Sequence, residues 1–559
     1  MSANDLPSDT GKQGMHPLLR AFLGLLLLLP ACGLCSSNLF LLSLNTFIGS
    51  LRSSSLSGPG DFVGMENFER LFGRPGFSSS FGSTALLILV QVLAWTILPI
   101  LLAFAVNALG KKARRGTRLW FTLPLAFFGP ALVMFGPSFA RGLWNMESPG
   151  QTYLLLEGLA GLAAACGIGL VIYSAILRGR DEVQQGWRPI LLPLFITWLV
   201  LQLAVAAYVM QTFDSLSGLL PNWSDVPLGY FLFQTLRQAQ GGLTFAVSAI
   251  IFLVVALLGI LATVLLILGR LRLKYEPRDE TAASSARGSA LGWIVIVVAG
   301  FVVFAVTVLP VLIGLFRTLA SLGDGLDLFG VSIPRVWLNS LLPPALVIFL
   351  IQLPVAYLGA LGIGAVRPFG RWSEWLLLLF SPWLFVTSLP FAFASFQYLR
   401  EAELTESLFG LTPPILLSVP MLFVFTLFFM GQAPKWQAAR AEGMSAARAF
   451  FKHLIVPSLP LAAFLAAFSL LAATQDLIVP LLAGLDPDLL TATTAILKLS
   501  AGFDPDLSSS IITLFGLPLS LIFFIVFAVL QISYLDRLTL TREPIVKEPE
   551  KAETTPADL

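Results

Sequence analysis

The length of its apolar runs constrains this chain more than any other feature. Runs of about 20 or more residues, such as the one holding "AFLGLLLLLPACGLC" (21–35), recur from end to end. About 20 apolar residues in a helix reach across a bilayer's hydrocarbon core, and lipid offers the backbone no hydrogen-bond partner. Spans must therefore be helices or closed barrels, and the runs lack the period-2 alternation of barrel strands. Only 12% of the residues are charged, with a mean hydropathy of +0.84, whereas a soluble domain carries about 25%. The expected fold is an all-α polytopic membrane protein embedded in a lipid bilayer. Twelve spans are read near 18–38, 81–109, 119–143, 153–177, 189–211, 243–269, 291–316, 338–363, 373–397, 411–432, 456–483 and 510–534.

Composition excludes several functions. A net charge of +2 leaves no footprint for nucleic acid. The only histidines are His16 and His453, so no metal site is expected. Cys32 and Cys35 form a CxxC within an apolar run, where they read as small residues of a helix face. "LLLLLPAC" has the look of a signal-cleavage site, but Pro30 and the spans that follow favour an uncleaved first helix.

Lysine and arginine set the orientation. One set of loops is basic: 111–118, 178–188, 270–278, 367–371, 435–456 and 536–542. The other includes the acidic 324–327, 400–406, 484–488 and 502–506. The basic loops and both termini are assigned to the cytoplasm, in the plasma membrane. The polar stretch 270–290 reads as a cytoplasmic linker between halves 1–269 and 291–538, each of about six spans, and 539–559 reads as a disordered tail. The halves echo one another: Pro193 and Pro457 open corresponding spans, and Asp214 and Asp476 follow at nearly equal distances. An even number of spans per half preserves orientation, so the halves are related by an axis along the membrane normal.

One basic loop is unusual. "KWQAARAEGMSAARAFFKHLIVPSLP" (435–460) is rich in alanine and arginine. On a helix, Trp436, Ala439, Gly443, Ala447, Phe450 and Leu454 share a stripe. Gly443 permits a bend, so two short helices joined there fit better than one rod. Pro457 then falls in the first turn of the next span. On these residues alone the loop reads as an interfacial helix, a folded-back gate or a knob for a partner's groove.

Gln437-Ala438-Ala439, then Gly443, then "FFKHLIVP" resembles the Glu-Ala-Ala coupling loop of binding-protein-dependent ABC importer permeases, with Gln for Glu at 437 and Pro457 one residue farther from the glycine. "DFVGMENFERLFGRPGF" (61–77), "RGTRLWFTLPLAFFGPALV" (115–133) and the stretch from "VWLNSLL" (336–342) to Asp476 resemble maltose- and glycerol-phosphate-type sugar permeases. The resemblance implies two permeases fused into one chain, with the type I importer transmembrane fold. It implies coupling to an ATPase through Gln437, Ala438, Ala439, Gly443, Phe450, Phe451 and Pro457. It also implies two ABC ATP-binding subunits, an extracytoplasmic solute-binding protein and a sugar or polyol cargo. The first-half loop, "AILRGRDEVQQGWRPILLP" (175–193), lacks the Ala-Ala and reads as shortened by a dozen or so residues or, since Gly179 to Pro193 matches the Gly443 to Pro457 spacing, as a degenerate full-length loop.

No G-x-x-x-x-G-K-[ST] and no credible Ser-His-Asp set occurs, so no catalytic residue is expected. ATP and magnesium belong on the partner subunits, and this chain binds no cofactor. Polar residues in spans are costly in lipid and face an interior. The pathway candidates are Thr212, Asp214, Thr474, Gln475 and Asp476, followed by Gln91, Gln202, Asn339 and Gln352. The main rival is a twelve-span secondary transporter of the major-facilitator type. Its Gly-x-x-x-Asp-Arg loop has no counterpart in "KKARRGTR".

Overall fold

The computed structural model describes residues 16–54, 58, 60–126, 158–183, 188–212, 226–276, 290–321, 330–484, 486–500 and 505–543. Among these, nine helices are long and apolar enough to cross a membrane. In the first half they are α1 (Pro17–Ser50), α2 (Pro75–Asn107), α3 (Gly158–Gly179, running on to Val183), α4 (Ile190–Met210) and α5 (Gly241–Gly269). In the second they are α6 (Ala290–Ala320), α7 (Ile333–Val366), α9 (Ala446–Thr474) and α10 (Thr513–Arg537). Between α7 and α9 runs α8 (Val419–Ala441), a 23-residue helix whose last two turns are polar. Among the described residues, five long helices thus precede residue 270 and five follow residue 289.

These helices expose apolar side chains to the outside: Phe22, Leu29, Leu257, Phe301, Leu350 and Ile525 are all more than half exposed. A soluble protein rarely shows so much contiguous apolar surface, and here it faces lipid. The chain is a multi-pass membrane protein.

The halves interlock. The first helix of each lies against the second helix of the other, α1 on α7 and α6 on α2. Small residues make the first contact close: a Cβ at Gly362 would stand 2.6 Å from the Gly24 carbonyl oxygen.

Three expected spans differ from the structure. Of 411–432 only the part from Val419 is α-helical, within α8, which is not among the nine. Most of 119–143 lies outside the described residues, although helical turns occur up to Ala126. The expected helix 373–397 is instead a 3₁₀ stretch over Gly370–Leu379, two short 3₁₀ turns, and an α-helix from Ala392 to Glu401. Pro382 and Pro390 each lack an N–H and crowd the preceding turn, which prevents one continuous helix. Elsewhere prolines are accommodated inside spans. Wide π-turns at Phe304–Val308, Ile348–Gln352 and Phe451–Ile455 each end two residues before a proline, at 310, 354 and 457. Each π-turn contains the carbonyl four residues back that the ring would strike, so widening the turn relieves the clash. Pro457 therefore does not start a span as the sequence suggested. It sits within a helix that begins at Ala446.

The expected linker and tail also begin differently. Residues Leu271–Tyr275 form β1 and Leu538–Arg542 form β2, an antiparallel ribbon with Leu273 opposite Leu540 and Tyr275 opposite Leu538. Both five-residue segments alternate leucine with polar residues, a half-buried strand pattern too short to stand out beside the apolar runs. The remainder of the linker and tail, 277–289 and 544–559, lies outside the described residues.

All six basic loops meet at the ribbon end of the molecule. Arg118 is buried and pairs with the partly buried Asp536 at 2.8 Å. Arg178 donates to the Leu538 carbonyl (2.9 Å). Arg272 binds Glu543 (2.6 Å) and Glu374, which follows the 367–371 loop. Lys435 donates to the Tyr275 carbonyl (2.8 Å). The acidic 484–488 loop lies at the far end, where Asp488 pairs with Arg335 at the start of α7.

Candidate functional site

At the ribbon end, α8 and α9 form a protruding helical hairpin whose turn is set by its sequence. Gly443 has φ +91°, a conformation open to glycine at little cost. Its N–H donates to the Arg440 carbonyl (3.1 Å), and the Met444 N–H donates to that of Ala439 (3.0 Å). This is the Schellman closure of a helix C-terminus. The chain is helical again from Ala446, with the Ala449 N–H donating to the Ser445 carbonyl (2.9 Å).

The bend at Gly443 is where the sequence placed it, but the two flanking pieces are not separate short helices. They are the ends of α8 and α9, so the hairpin is continuous with two long helices. Of the expected stripe, Ala439 and Leu454 are buried, Trp436 and Phe450 are half-buried, and Gly443 and Ala447 are exposed. Trp436 meets Phe450 edge to face at 6.4 Å and holds the arms together. The outer surface presents Gln437, Ala438, Ala441, Gly443, Ala446, Ala447, Arg448 and Phe451, mostly side chains short enough to admit a close partner. At its base, Lys435 and Gln432 donate to the Tyr275 carbonyl of β1 (2.8 and 3.3 Å). The Tyr275 ring stacks on Tyr534 at 5.0 Å, and the Tyr534 hydroxyl donates to the Pro457 carbonyl (2.6 Å).

The first half has a shorter counterpart. Helix α3 runs to Val183, the chain is helical again from Arg188, and 184–187 lie outside the described residues. Gly179 and Gly431 match, because each meets the same rung of the ribbon. A Cβ at Gly431 would stand 2.2 Å from the Leu273 carbonyl oxygen, and one at Gly179 would stand 3.0 Å from that of Leu540. From Gly179 to Pro193 is 14 positions, and from Gly431 to Pro457 is 26. The second hairpin thus has about six more residues per arm, or ~9 Å more reach at 1.5 Å per residue.

A polar junction joins the halves at the far end. Gln211, just past α4, donates to the Phe385 carbonyl (2.9 Å) and accepts from the Thr387 N–H (2.8 Å) and hydroxyl (3.1 Å). The next residue, Ser388, donates to the Asp476 carboxylate. Asp476 also accepts from the Ile478 N–H (3.1 Å), and its carbonyl accepts from the Thr493 hydroxyl (2.9 Å).

Of the pathway candidates, Asp476 is in this junction and Gln475 adjoins it. Thr474 and Thr212 are buried, and their hydroxyls turn back to the Leu471 (2.7 Å) and Tyr208 (3.1 Å) carbonyls of their own helices. Asp214 lies outside the described residues. Gln352 donates to the Ile415 carbonyl (2.7 Å) and Asn339 to those of Asp488 and Leu490 (2.9 and 3.1 Å), staples between segments. Gln91 packs on the backbone of Gly161, and the buried Gln202 side chain has no hydrogen-bond partner among the described residues. Gln211, Thr387 and Ser388 were not among the residues expected from the sequence. Gln211 was legible in the repeat, since it follows Pro193 by 18 positions, as Gln475 follows Pro457. Ser388 gives no signal of its own within the apolar stretch 373–397.

No protein-family model matches this chain. It is 25% identical over 232 residues to the "Multiple sugar-binding transport system permease protein MsmF" of Streptococcus mutans. That match spans 36% of this chain and 80% of the relative. A sugar-transport permease is therefore a distant homologue of part of a multi-pass membrane protein, consistent with a transport subunit.

Proposed function

We propose that this chain is the permease of an ATP-driven importer, with two fused halves forming one pathway for a sugar or polyol. In this reading the ribbon end faces the cytoplasm. The α8–α9 hairpin docks in a groove of an ABC ATP-binding subunit, two such subunits bind ATP and magnesium, and a solute-binding protein delivers cargo at the far end. The observation that carries the reading is the hairpin itself, an exposed, small-residue turn rigidly continuous with two long helices, on a chain homologous in part to a sugar-transport permease. A knob with short side chains lets a partner approach closely, and rigid arms convert its displacement into rocking of the bundle. The Gln211–Thr387–Ser388–Asp476 junction, bridging the halves at the opposite end, fits an outer gate that such rocking would remake.

The test is capture of the ATP-binding subunits by the full-length chain. Gly443→Pro removes both the positive φ and an N–H of the turn. It is expected to abolish co-purification and to lower solute-stimulated ATP hydrolysis about 100-fold or more, the scale of losing a central contact. Intact capture and stimulation in that variant would refute the docking assignment.

A further inference from the structure

The ribbon is built as an exchange between the halves. β1 directly follows the last span of the first half, yet it packs against α8 of the second. β2 follows the last span of the second half and packs against α3 of the first. Two rungs hold the assembly together. On one, Gly431 lies against Leu273 and Gly179 against Leu540, which are ribbon partners. On the other, Lys435 and Gln432 bind the Tyr275 carbonyl, while Arg178 binds the carbonyls of Leu538 (2.9 Å) and Leu535 (3.0 Å). Tyr275 and Leu538 are also ribbon partners. Side by side across each rung stand a helix of one half, two strands and a helix of the other. At the first rung the helices approach the strand backbone so closely that a Cβ on either glycine would collide or crowd. The Arg272–Glu543 ion pair (2.6 Å) ties the start of β1 to the residue after β2.

We propose that this ribbon is a strap that hands the displacement of the long hairpin to the first half, so that one fully formed hairpin moves both. Arg178 and Gly179 are then positioning residues, the points at which α3 receives the stroke without touching the ATPase. The inference rests on the importer reading and explains how a chain with one long and one short hairpin works as a unit. A soft or frayed connection would dissipate the movement. Close packing at two glycines, on the Leu273 carbonyl at Gly431 and on the Leu540 carbonyl and the Thr541 methyl at Gly179, leaves little room for compliance.

The experiment uses the full-length chain in detergent with whatever ATP-binding subunits accompany it. Gly179→Leu inserts a side chain where the Thr541 methyl and the Leu540 carbonyl now stand. Expected first is about tenfold faster deuterium exchange of the 436–441 amides, which belong to the other half. Expected second is unchanged ATPase capture and unstimulated hydrolysis, with solute stimulation lowered about tenfold. Wild-type exchange at 436–441, or wild-type stimulation, would overturn the strap. Should Gly179→Leu fail to accumulate, Arg178→Ala decides, because it removes two hydrogen bonds and leaves the glycine contact. If even the wild-type chain captures no ATPase, the importer reading fails, and the exchange measurement still judges the ribbon.

Discussion

The two hairpins at the ribbon end share a plan and differ in reach. Each begins at a glycine pressed on the ribbon and returns to a proline in the following span, but the second has 26 positions between those points and the first 14. The second ends in a capped, exposed turn of small residues, whereas "DEVQQGW" (181–187) offers no run of alanines. Under the proposed function the difference amounts to a division of labour, in which one hairpin reaches a partner and the other is moved through the ribbon.

The sharpest way to break that comparison is to place the same bulk on both. Ala438→Trp, at an exposed site in the long hairpin, is expected to weaken ATPase capture about 10- to 100-fold, a loss of ~1.4–2.8 kcal/mol. Gln185→Trp, in the sequence between α3 and α4, is expected to change it less than about twofold. Capture titrations with both variants measure this, and equal losses would mean that both hairpins dock.

A smaller effect is expected at the far junction. Gln211→Ala leaves the Thr387 N–H and the Phe385 carbonyl without their side-chain partner, a cost of about 1–2 kcal/mol. It should lower the melting temperature of the purified chain and slow solute uptake while leaving ATPase capture intact. Loss of capture would show that the two ends are not separable as described. Smallest of all is Arg335→Ala, which removes an exposed ion pair to Asp488 at 2.6 Å and is expected to cost less than about 1 kcal/mol, within the scatter of thermal melts.

Run length made nine of the spans legible, because a stretch of about 20 apolar residues has few other destinations. The bend at Gly443 was legible because a glycine interrupting a helix-forming, alanine-rich segment has few roles other than a turn. The grouping of the basic loops at one end followed from charge alone. The broken 373–397 segment was not legible, since its two prolines resemble those that other spans absorb with π-turns. The ribbon escaped because its strands stand 267 positions apart at Leu273 and Leu540, and each is too short to declare itself. Ser388 and Thr387 were hidden in the same way, as polar residues whose partners are supplied by distant segments.

The most direct measurement is a cross-link. A short thiol-to-amine reagent on Ala438→Cys, in membranes holding the full assembly, should join the chain to its ATP-binding subunit with a yield that changes when ATP is added. The same reagent on Gln185→Cys should give little of that product. A reversed pattern, or a thiol at position 438 reachable only from outside the cell, would contradict the account.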